Sequence, residues 1–387
     1  MLSSLRSHLK HCCIEKTVLR LAMAFFFPVS AVSAQQYPDI IIYGGNVLTA
    51  NTARPADALV AEAVAVRGSH ILAVGTNQEI LKMAGPQTLK IDVEYKSVIP
   101  GRVDTQVPFN EIKSLGENFQ IQAEEFLAQG VTTVGTHLSN EALDTLQKLG
   151  SQGRLPIRVA YTADASAQEL PTSEMLWNNP TAGCIDHCSA IRKEDIARAR
   201  DLKLAVSCEP PLGIHLEDGT KLTNTESQFG PQEGGDMRSP FRSLIDAGLH
   251  PALGTNSLNY YSFLATQQLV IRAFPNTRVL GPQQRISREE ALYTATRWAA
   301  EYVGKATDLG SIEPGKLADI IILDRNYSQV RQDGLNEINV LVTMLSGKIV
   351  YTEPDYANRK GLPQLGYRGN LGLILIRGRL TDKLPYH

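Results

Sequence analysis

Neither sign of charge is in large excess in this sequence of 387 residues. It contains 38 Lys and Arg and 40 Asp and Glu, which give a net charge of −2 at pH 7. No long run of one sign occurs, whereas chains that bind nucleic acid usually carry a basic face. Disorder is not expected either, because the apolar share of 43% is ordinary for a packed core. The predicted partner is therefore a small molecule or another protein.

Three motifs of well-understood chemistry are also missing. No GxGxxG follows a predicted strand, and neither GxxxxGK[ST] nor GxSxG occurs. These motifs place phosphates on backbone amides or a serine on a sharp turn. The sequence therefore gives no support to nucleotide binding or to serine-hydrolase chemistry.

Cysteine is scarce, with five residues in the chain. Cys12 and Cys13 lie in the N-terminal segment, which leaves Cys184, Cys188 and Cys208 downstream. An odd number at irregular spacing predicts no disulfide framework. A zinc site of the C-x₃-C kind at Cys184 and Cys188 is an alternative, but ordinary buried or loop thiols are favoured.

Residues 1–34 are predicted to be a cleavable signal peptide. Four basic residues precede its apolar run: Arg6, Lys10, Lys16 and Arg20. The run LAMAFFFPVSAVSA ends in small residues before Gln35, as signal peptides do. It is short of the ~20 apolar residues of a spanning helix, so a membrane anchor is the less favoured alternative. We expect cleavage after Ala34 and export to the periplasm or the extracellular space.

Two β-rich stretches lie at opposite ends of the remaining chain. Residues 35–100 contain short β-branched runs separated by glycine turns, and residues 310–352 repeat this pattern. We expect one small β-sandwich domain formed from both ends of the chain. Residues 353–387 are then a C-terminal extension.

Residues 101–309 alternate strand-like and helix-like segments, which predicts a parallel α/β sheet with a (β/α)₈-type barrel as the leading option. Such a barrel usually takes ~250 residues, and this region is shorter. Only six strand signals are found in it, and residues 165–183 read as a loop or one short helix. The predicted fold is therefore α/β, with an incomplete or shortened barrel. The six strand signals are VIPGRVDT, VTTVGTH, IRVAY, CIDH, LAVSCE and PALGTN.

Barrels carry their chemistry at the carboxyl ends of the strands. His137 and His187 each end a predicted strand, so both could face a common mouth, where imidazoles can bind a metal. Asp104 and Asp186 also lie at strand ends, where they could order loops or orient His187. Asn256 ends the last strand, and its amide cannot act as a general base.

His215 and His250 complete the histidines of the barrel region. His215 lies in a loop, whereas His250 precedes the strand PALGTN and so belongs to the opposite end of the barrel. We expect a structural role for His250. A histidine taken alone is more often a surface or hydrogen-bonded residue than a ligand.

Both ends of the chain resemble the amidohydrolase-3 group of the amidohydrolase superfamily. IIYGGNVLTA, AEAVAVRGSHILAVG and VIPGRVD are similar to the opening of that family, and SIEPGKLADIIILD is similar to its closing segment. The resemblance implies a (β/α)₈ barrel that holds a zinc-type divalent metal, with a β-sandwich built from both termini. It also implies hydrolysis of C–N bonds other than peptide bonds in small molecules.

The resemblance further implies which site positions are kept and which are lost. The first strand of the family reads Pro-Gly-x-x-Asp-x-His-x-His; here Asp104 is in register, while Gln106 and Pro108 stand at the two ligand positions. His187 keeps a later ligand position. Asn256 replaces the aspartate that serves as general base and ligand. His137 is not at a usual ligand position.

These substitutions predict a weak or absent metal, because one imidazole and two amides offer little charge to offset the dehydration of a divalent ion. Loss of the general base alone costs a factor of ~10²–10⁴ in rate. Two functions follow: a hydrolase of C–N bonds with residual or altered activity, or a non-catalytic relative whose barrel mouth binds a small molecule or a partner. A third reading is a truncated chain that folds poorly.

Overall fold

A computed structural model gives the structure of the protein. The predicted signal peptide and three predicted site residues, Pro108, His187 and Asn256, lie outside the part of the chain that it describes. Within that part, none of the helices combines the length and the apolar character that a membrane span requires. The described residues are 37–107, 117–163, 173–179, 184–186, 188, 191–210, 239–255, 262–272 and 281–367.

The first part of the described chain forms seven short strands, one α-helix and the 3₁₀ turn Pro55–Asp57. The strands are β1 Ile40–Tyr43, β2 Asn46–Leu48, β3 Val60–Ala61, β4 Ala63–Arg67, β5 His70–Gly75, β6 Leu89–Asp92 and β7 Ser97–Pro100. Helix α1, Asn77–Leu81, begins after Thr76, which forms a capping box with Glu79. Four of these strands make one sheet in the order β5–β4–β1–β6.

The middle of the chain alternates strands and helices, as the sequence pattern predicts. Its strands are β8 Arg102–Asp104, β9 Val131–Leu138, β10 Arg158–Ala163, β11 Leu176–Asn178, β12 Cys184–Ile185, β13 Ala205–Cys208 and β14 Pro251–Leu253. Its helices are α2 Glu117–Ala128, α3 Asn140–Ser151, α4 Lys193–Asp201, α5 Phe241–Asp246, α6 Ser262–Ile271, α7 Arg288–Thr294 and α8 Arg297–Tyr302. The prediction of an α/β fold is confirmed.

These seven strands form two parallel sheets that meet at β8 and β14. The orders are β11–β10–β9–β8 and β12–β13–β14, and every pairing within them is parallel. The backbone N–H of Thr105, just after β8, donates to the carbonyl of Leu253 on β14 at 3.2 Å. In the described ranges no strand pairing joins β11 to β12.

The prediction of a loop or one short helix over residues 165–183 is wrong at Leu176–Asn178, which form β11. Three residues are too few to show the alternation by which a strand is recognised. The strand exists because it pairs with β10, where Val159 lies beside Leu176 and Tyr161 beside Asn178. The described strands of the middle of the chain therefore number seven, one more than the sequence signals.

The last part of the described chain forms strands that pair with strands of its first part. It contains β15 Ile320–Leu323, β16 Val340–Leu345, β17 Lys348–Thr352 and α9 Pro354–Lys360. A six-stranded sheet has the order β17–β16–β15–β7–β2–β3, with Ile321 of β15 opposite Ile99 of β7. Its strands share a buried apolar cluster with the four-stranded sheet, in which Ile42 and Val66 join Ile320 and Met344.

Glu94, in the turn after β6, fastens that turn to α9 by accepting hydrogen bonds from Lys360 at 2.5 Å and Lys96 at 2.9 Å. The hydrogen bonds from Lys360 and Lys96 lower the pKa of Glu94 from 4.5 to about 2. A carboxylate whose pKa is lowered in the folded state stabilises the protein at pH values above its unfolded-state pKa. This stabilisation is lost as the pH falls through the folded-state pKa.

We therefore expect Glu94→Gln to lower the melting temperature slightly at about pH 6, since exposed ion pairs contribute little. The difference from the unsubstituted protein should disappear between pH 4.5 and about 2. Thermal unfolding followed by circular dichroism across this range measures it. A difference that stays constant down to the lower limit would contradict the assignment.

Candidate functional site

The segment that follows β8 is held between the ends of two other strands. Thr105 is bonded to β14 as described above, and the N–H of Val107 donates to the carbonyl of Gly135 on β9 at 2.8 Å. A Cβ atom on Gly135 would lie 2.7 Å from the carbonyl oxygen of Thr105, and one on Gly254 would lie 2.5 Å from Cγ of Gln106. Both glycines are thus required for the chain to approach this closely.

Asp104 ties the end of β8 to the end of β14. It is 5% exposed, and it accepts hydrogen bonds from the N–H of Thr255 at 2.9 Å, from the hydroxyl of Thr255, and from the N–H of Gln106 at 3.2 Å. Burial raises the pKa of Asp104, and the hydrogen bonds from Thr255 oppose that shift. These contacts make Asp104 an organiser of the two strand ends.

Gln106 lies at the centre of the described site and is 6% exposed. Its Nε2 donates to Oδ1 of Asp186 at 3.2 Å and to the carbonyl of Ser207 at 3.3 Å. Its Oε1 is buried and has no hydrogen-bond partner among the described residues. The side chain therefore turns its donors toward the protein and keeps one unsatisfied acceptor, which costs about 1–3 kcal/mol when no partner is found.

Asp186 follows β12 and receives a second donor from helix α8, because the hydroxyl of Tyr302 donates to its Oδ1 at 2.6 Å. Burial raises the pKa of Tyr302, and the hydrogen bond to Asp186 raises it further. The phenol therefore stays protonated as a donor at neutral pH. Gln106 and Tyr302 together satisfy one oxygen of Asp186.

Two neighbouring hydroxyls complete the described part of the site. Oγ of Ser207 on β13 lies 2.5 Å from Oγ1 of Thr105, which joins β13 to the segment after β8. The sequence predicts Asp104, Gln106 and Asp186 as site residues, but not Thr105, Ser207, Thr255 or Tyr302. Thr255 stands beside Asn256 in the Gly-Thr-Asn frame and could have been found, whereas no sequence pattern marks Tyr302.

His137 lies at the end of β9 and is exposed. Its Nδ1 is 3.2 Å from the hydroxyl of Thr162 on the adjacent strand β10. The structure thus places His137 at a strand end, in contact with a hydroxyl from the next strand. Three predicted site residues lie outside the described ranges. They are His187, predicted to be a retained metal ligand, and Pro108 and Asn256, predicted to stand at lost ligand positions.

The described residues do not fit a divalent metal. No group of three or more His, Cys, Asp or Glu side chains in them could hold one. Metals bind to lone pairs of deprotonated ligands. Gln106 instead directs an N–H donor toward Asp186, so its side chain presents no lone pair to a metal on that side. The hydrogen bond from Tyr302 further occupies the same carboxylate oxygen.

Cys188 and Cys208 form a disulfide, which the cysteine spacing does not predict. The expectation of ordinary thiols at Cys188, and the alternative of a C-x₃-C zinc site with Cys184, are both wrong. The reason is that β12 and β13 are parallel neighbours, so that residues at their carboxyl ends meet; the two Cα atoms are 4.7 Å apart. Cys184 remains a free thiol.

Replacing Gly254 by alanine is expected to lower the free energy of unfolding by about 1–3 kcal/mol. The new Cβ would lie 2.5–2.6 Å from three carbon atoms of Gln106, which cannot move away without losing its hydrogen bonds. Gly334→Ala is the matched control, because its Cβ would meet only Cγ1 of Val330 at 3.6 Å. Urea unfolding that shows equal stability for the two variants would contradict this packing of Gln106.

Comparison with known proteins links the chain to one family. The model of the amidohydrolase family, Amidohydro_3, matches residues 176–351. N-substituted formamide deformylase of Arthrobacter pascens is 31% identical over 118 residues, which are 29% of this chain and 21% of that protein. The probable guanine deaminase of Schizosaccharomyces pombe is 30% identical over 180 residues, 44% of this chain and 32% of that protein. The chain thus spans less than half the length of these relatives.

Solved structures resemble the chain in fold. An adenosine deaminase from Xanthomonas campestris with bound Zn aligns with a TM-score of 0.55 at 16% identity, covering 89% of this chain and 98% of that one. A triazine hydrolase variant aligns with a TM-score of 0.59 at 16% identity, covering 89% and 99%. At such identities the likeness shows the fold alone, which is TIM-barrel-like and α/β.

Proposed function

We propose that the chain is a member of the amidohydrolase family, whose model matches residues 176–351, and that it uses the mouth of the family's barrel to bind a small molecule without metal-dependent hydrolysis. Relatives of this family act on C–N bonds of small molecules, as the names deformylase and guanine deaminase indicate. The family is generally metal-dependent. Nothing in its relatives points to nucleic acid as a partner.

The observation that carries this proposal is the orientation of Gln106. Its amide nitrogen donates to Asp186 and to the carbonyl of Ser207, so the side chain at a ligand position of the family is engaged as a neutral hydrogen-bond donor. A divalent ion beside Asp186 would have to displace this donor and face the remaining N–H dipole. An internal hydrogen-bond network thus replaces metal ligation in the described site.

The ligand is expected to donate a hydrogen bond. Oε1 of Gln106 is a buried acceptor without a described partner, and a polar group left this way is normally satisfied by a ligand or by water. An N–H or O–H group entering the mouth would satisfy it. Amides, amines and aminated heterocycles are molecules of this kind.

The scaffold of this site is proposed to have the composite form of the family. The pairing of β7 with β15 and the apolar cluster between the two mixed sheets support one β-sandwich domain formed from residues 35–100 and 310–352. The unpaired edges of β11 and β12 in the described ranges support a barrel shorter than eight strands. Residues 101–309 would then be the barrel domain.

Export is a further part of the proposal. Disulfides persist in oxidising compartments such as the periplasm and the extracellular space, and are rare in the cytosol. The pair Cys188–Cys208 therefore supports the expectation that residues 1–34 are a cleavable signal peptide. N-terminal sequencing of the protein isolated from the compartment in which it accumulates tests the predicted cleavage after Ala34.

Turnover assays test the proposed function. The full chain would be incubated with an N-substituted formamide and with guanine, each with and without added Zn²⁺, Mn²⁺ or Fe²⁺. We expect no release of formate or ammonia above that of Gln106→Ala under the same conditions. Turnover that rises with added metal and is lost on chelation would overturn the proposal.

A C–N hydrolase with residual activity is the second candidate. The match of the amidohydrolase model to residues 176–351 favours it, since that stretch includes His187, which stands at a ligand position of the family. The same assays decide between the two, because metal-stimulated turnover is expected only for this candidate.

A further inference from the structure

A cavity lies at the opposite end of the parallel strands from Gln106. His250, which lines it, directly precedes β14, whereas Gly254, against which Gln106 packs, directly follows that strand. Four steps of extended chain span ~13 Å, so this cavity is separate from the candidate site. Its volume is about 700 Å³, within the range of ~300–1,000 Å³ that small-molecule sites occupy.

The walls of this cavity are mostly apolar. They are formed by the 3₁₀ turn Pro55–Asp57, by helix α5 with the turn that follows it, and by the beginnings of α7 and α8. Such a lining favours a ligand with an apolar body. The apolar side chains are those of Ala53, Pro55, Ala56, Ile245, Leu249 and Trp298.

The oppositely charged side chains that line the cavity are paired with one another. Arg54 lies 2.6 Å from Asp57. Arg242 donates to both carboxylate oxygens of Glu290, at 2.8 and 2.9 Å. A charged ligand would have to break one of these pairs or bring an uncompensated charge against the apolar wall. A neutral ligand is therefore favoured.

His250 adds a hydrogen-bond acceptor to this lining. Its Nδ1 lies 2.6 Å from a carboxylate oxygen of Glu301. Because an ionised carboxylate can only accept a hydrogen bond, Nδ1 carries a proton, and the neutral imidazole keeps its lone pair on Nε2. Glu301 thus fixes the tautomer of His250 in which Nε2 accepts.

The edge of His250 that carries Nε2 is directed toward the cavity. One face of the imidazole lies on the indole of Trp298, with ring centroids 5.1 Å apart and an interplanar angle of 11°. The Nδ1 edge is directed at Glu301, which is not among the described residues that line the cavity, whereas His250 is. The His250 side chain is 44% exposed. The part of the ring left to line the cavity is therefore the side away from Nδ1, where Nε2 lies.

We propose that this cavity binds a neutral hydroxyl compound with an apolar body, whose O–H group donates to Nε2 of His250. The hydroxyl meets the edge of the imidazole in the plane of the ring, and the apolar body packs against Ile245, Leu249 and the 3₁₀ turn. This site is independent of the proposed binding at the barrel mouth.

Cyclohexanol is the probe for this site, because it joins an apolar ring to one hydroxyl donor. The full chain would be labelled with ¹⁵N at its eight histidines and titrated at about pH 8.5, where imidazoles are generally neutral. The resonance of Nε2 of His250 is identified by its loss in His250→Phe. We expect this resonance to shift saturably with millimolar cyclohexanol.

Cyclohexanone is the matched control ligand, since it has nearly the same size and shape but can only accept hydrogen bonds. It should bind about 3–10-fold more weakly than cyclohexanol, the loss expected for one neutral hydrogen bond. Ligand-detected NMR should show that His250→Phe, which keeps an aromatic ring on Trp298 but lacks Nε2, binds the two compounds equally.

Two further variants locate the bound probe. Ala56→Phe fills the cavity from an exposed position and should abolish the shift of the His250 resonance, whereas Lys90→Phe, a change at an exposed position of β6, should leave it intact. The proposal would be overturned by an Nε2 resonance that does not move with cyclohexanol or that moves equally in Ala56→Phe. Cyclohexanone that binds the unsubstituted protein as tightly as cyclohexanol would overturn it as well.

Discussion

Replacing Arg158 by methionine is expected to lower the free energy of unfolding by about 3–5 kcal/mol. Arg158 is fully buried and donates to Asp319, to Ser346, and to Glu174 at 3.0 Å. Asp319 is itself 4% exposed, so the variant would leave a buried carboxylate without its cation. Urea unfolding followed by circular dichroism measures the loss.

The size of this effect follows from where the pair lies. Arg158 begins β10, Asp319 directly precedes β15, and Ser346 directly follows β16. The network therefore joins the parallel strands to the six-stranded sheet at their common boundary. Losing it weakens the connection between the middle of the chain and its two ends.

Arg331→Met is the control for this prediction. Arg331 pairs with Asp333 at 2.6 Å, but the two side chains are 85% and 60% exposed, and exposed pairs contribute about 0–1 kcal/mol. The double variant Arg158→Met with Asp319→Leu should recover part of the stability, because it removes the stranded charge. If Arg158→Met costs no more than Arg331→Met, the buried network is not as described.

The second large effect is expected for the disulfide. Replacing both Cys188 and Cys208 by alanine should lower the free energy of unfolding by about 3 kcal/mol. This is the stabilisation expected when a disulfide closes a loop of this length and so reduces the entropy of the unfolded chain. The two residues are 20 positions apart, and both are buried. Cys184→Ala, which removes the free thiol of β12, is the matched control. It should lower the free energy of unfolding by less than ~1 kcal/mol.

Peptide mapping without reduction provides an independent check on this pairing. A cross-linked peptide pair containing Cys188 and Cys208 is expected from the native protein, with Cys184 open to alkylation after unfolding. Recovery of Cys188 and Cys208 as free thiols would contradict the structure. It would also remove the structural support for export.

Long periodic segments of this chain could be predicted from its sequence, and short ones could not. The run VTTVGTH falls in β9, Val131–Leu138, and carries enough β-branched residues to be recognised alone. Leu176–Asn178 is a strand only because β10 lies beside it. The disulfide escaped prediction for the same reason, since Cys188 and Cys208 meet only once β12 and β13 are adjacent.

The candidate site was predictable to the same extent. Asp104 and Gln106 follow a Pro-Gly frame that fixes their register, so their positions could be assigned from sequence. The contact of Asp186 with Tyr302 could not, because 116 positions separate the two residues and only the packing of α8 brings them together. The direction in which Gln106 turns its amide is likewise a property of its neighbours, Asp186 and Ser207.

The metal content of the purified protein tests the central claim most directly. The full chain would be produced with Zn²⁺, Mn²⁺ and Fe²⁺ in the medium, purified without chelators, and measured by inductively coupled plasma mass spectrometry. We expect much less than one equivalent of metal per chain, together with a cooperative thermal transition that EDTA does not change. One or more equivalents, whose removal by EDTA lowers the melting temperature, would contradict the replacement of metal ligation by the Gln106 network.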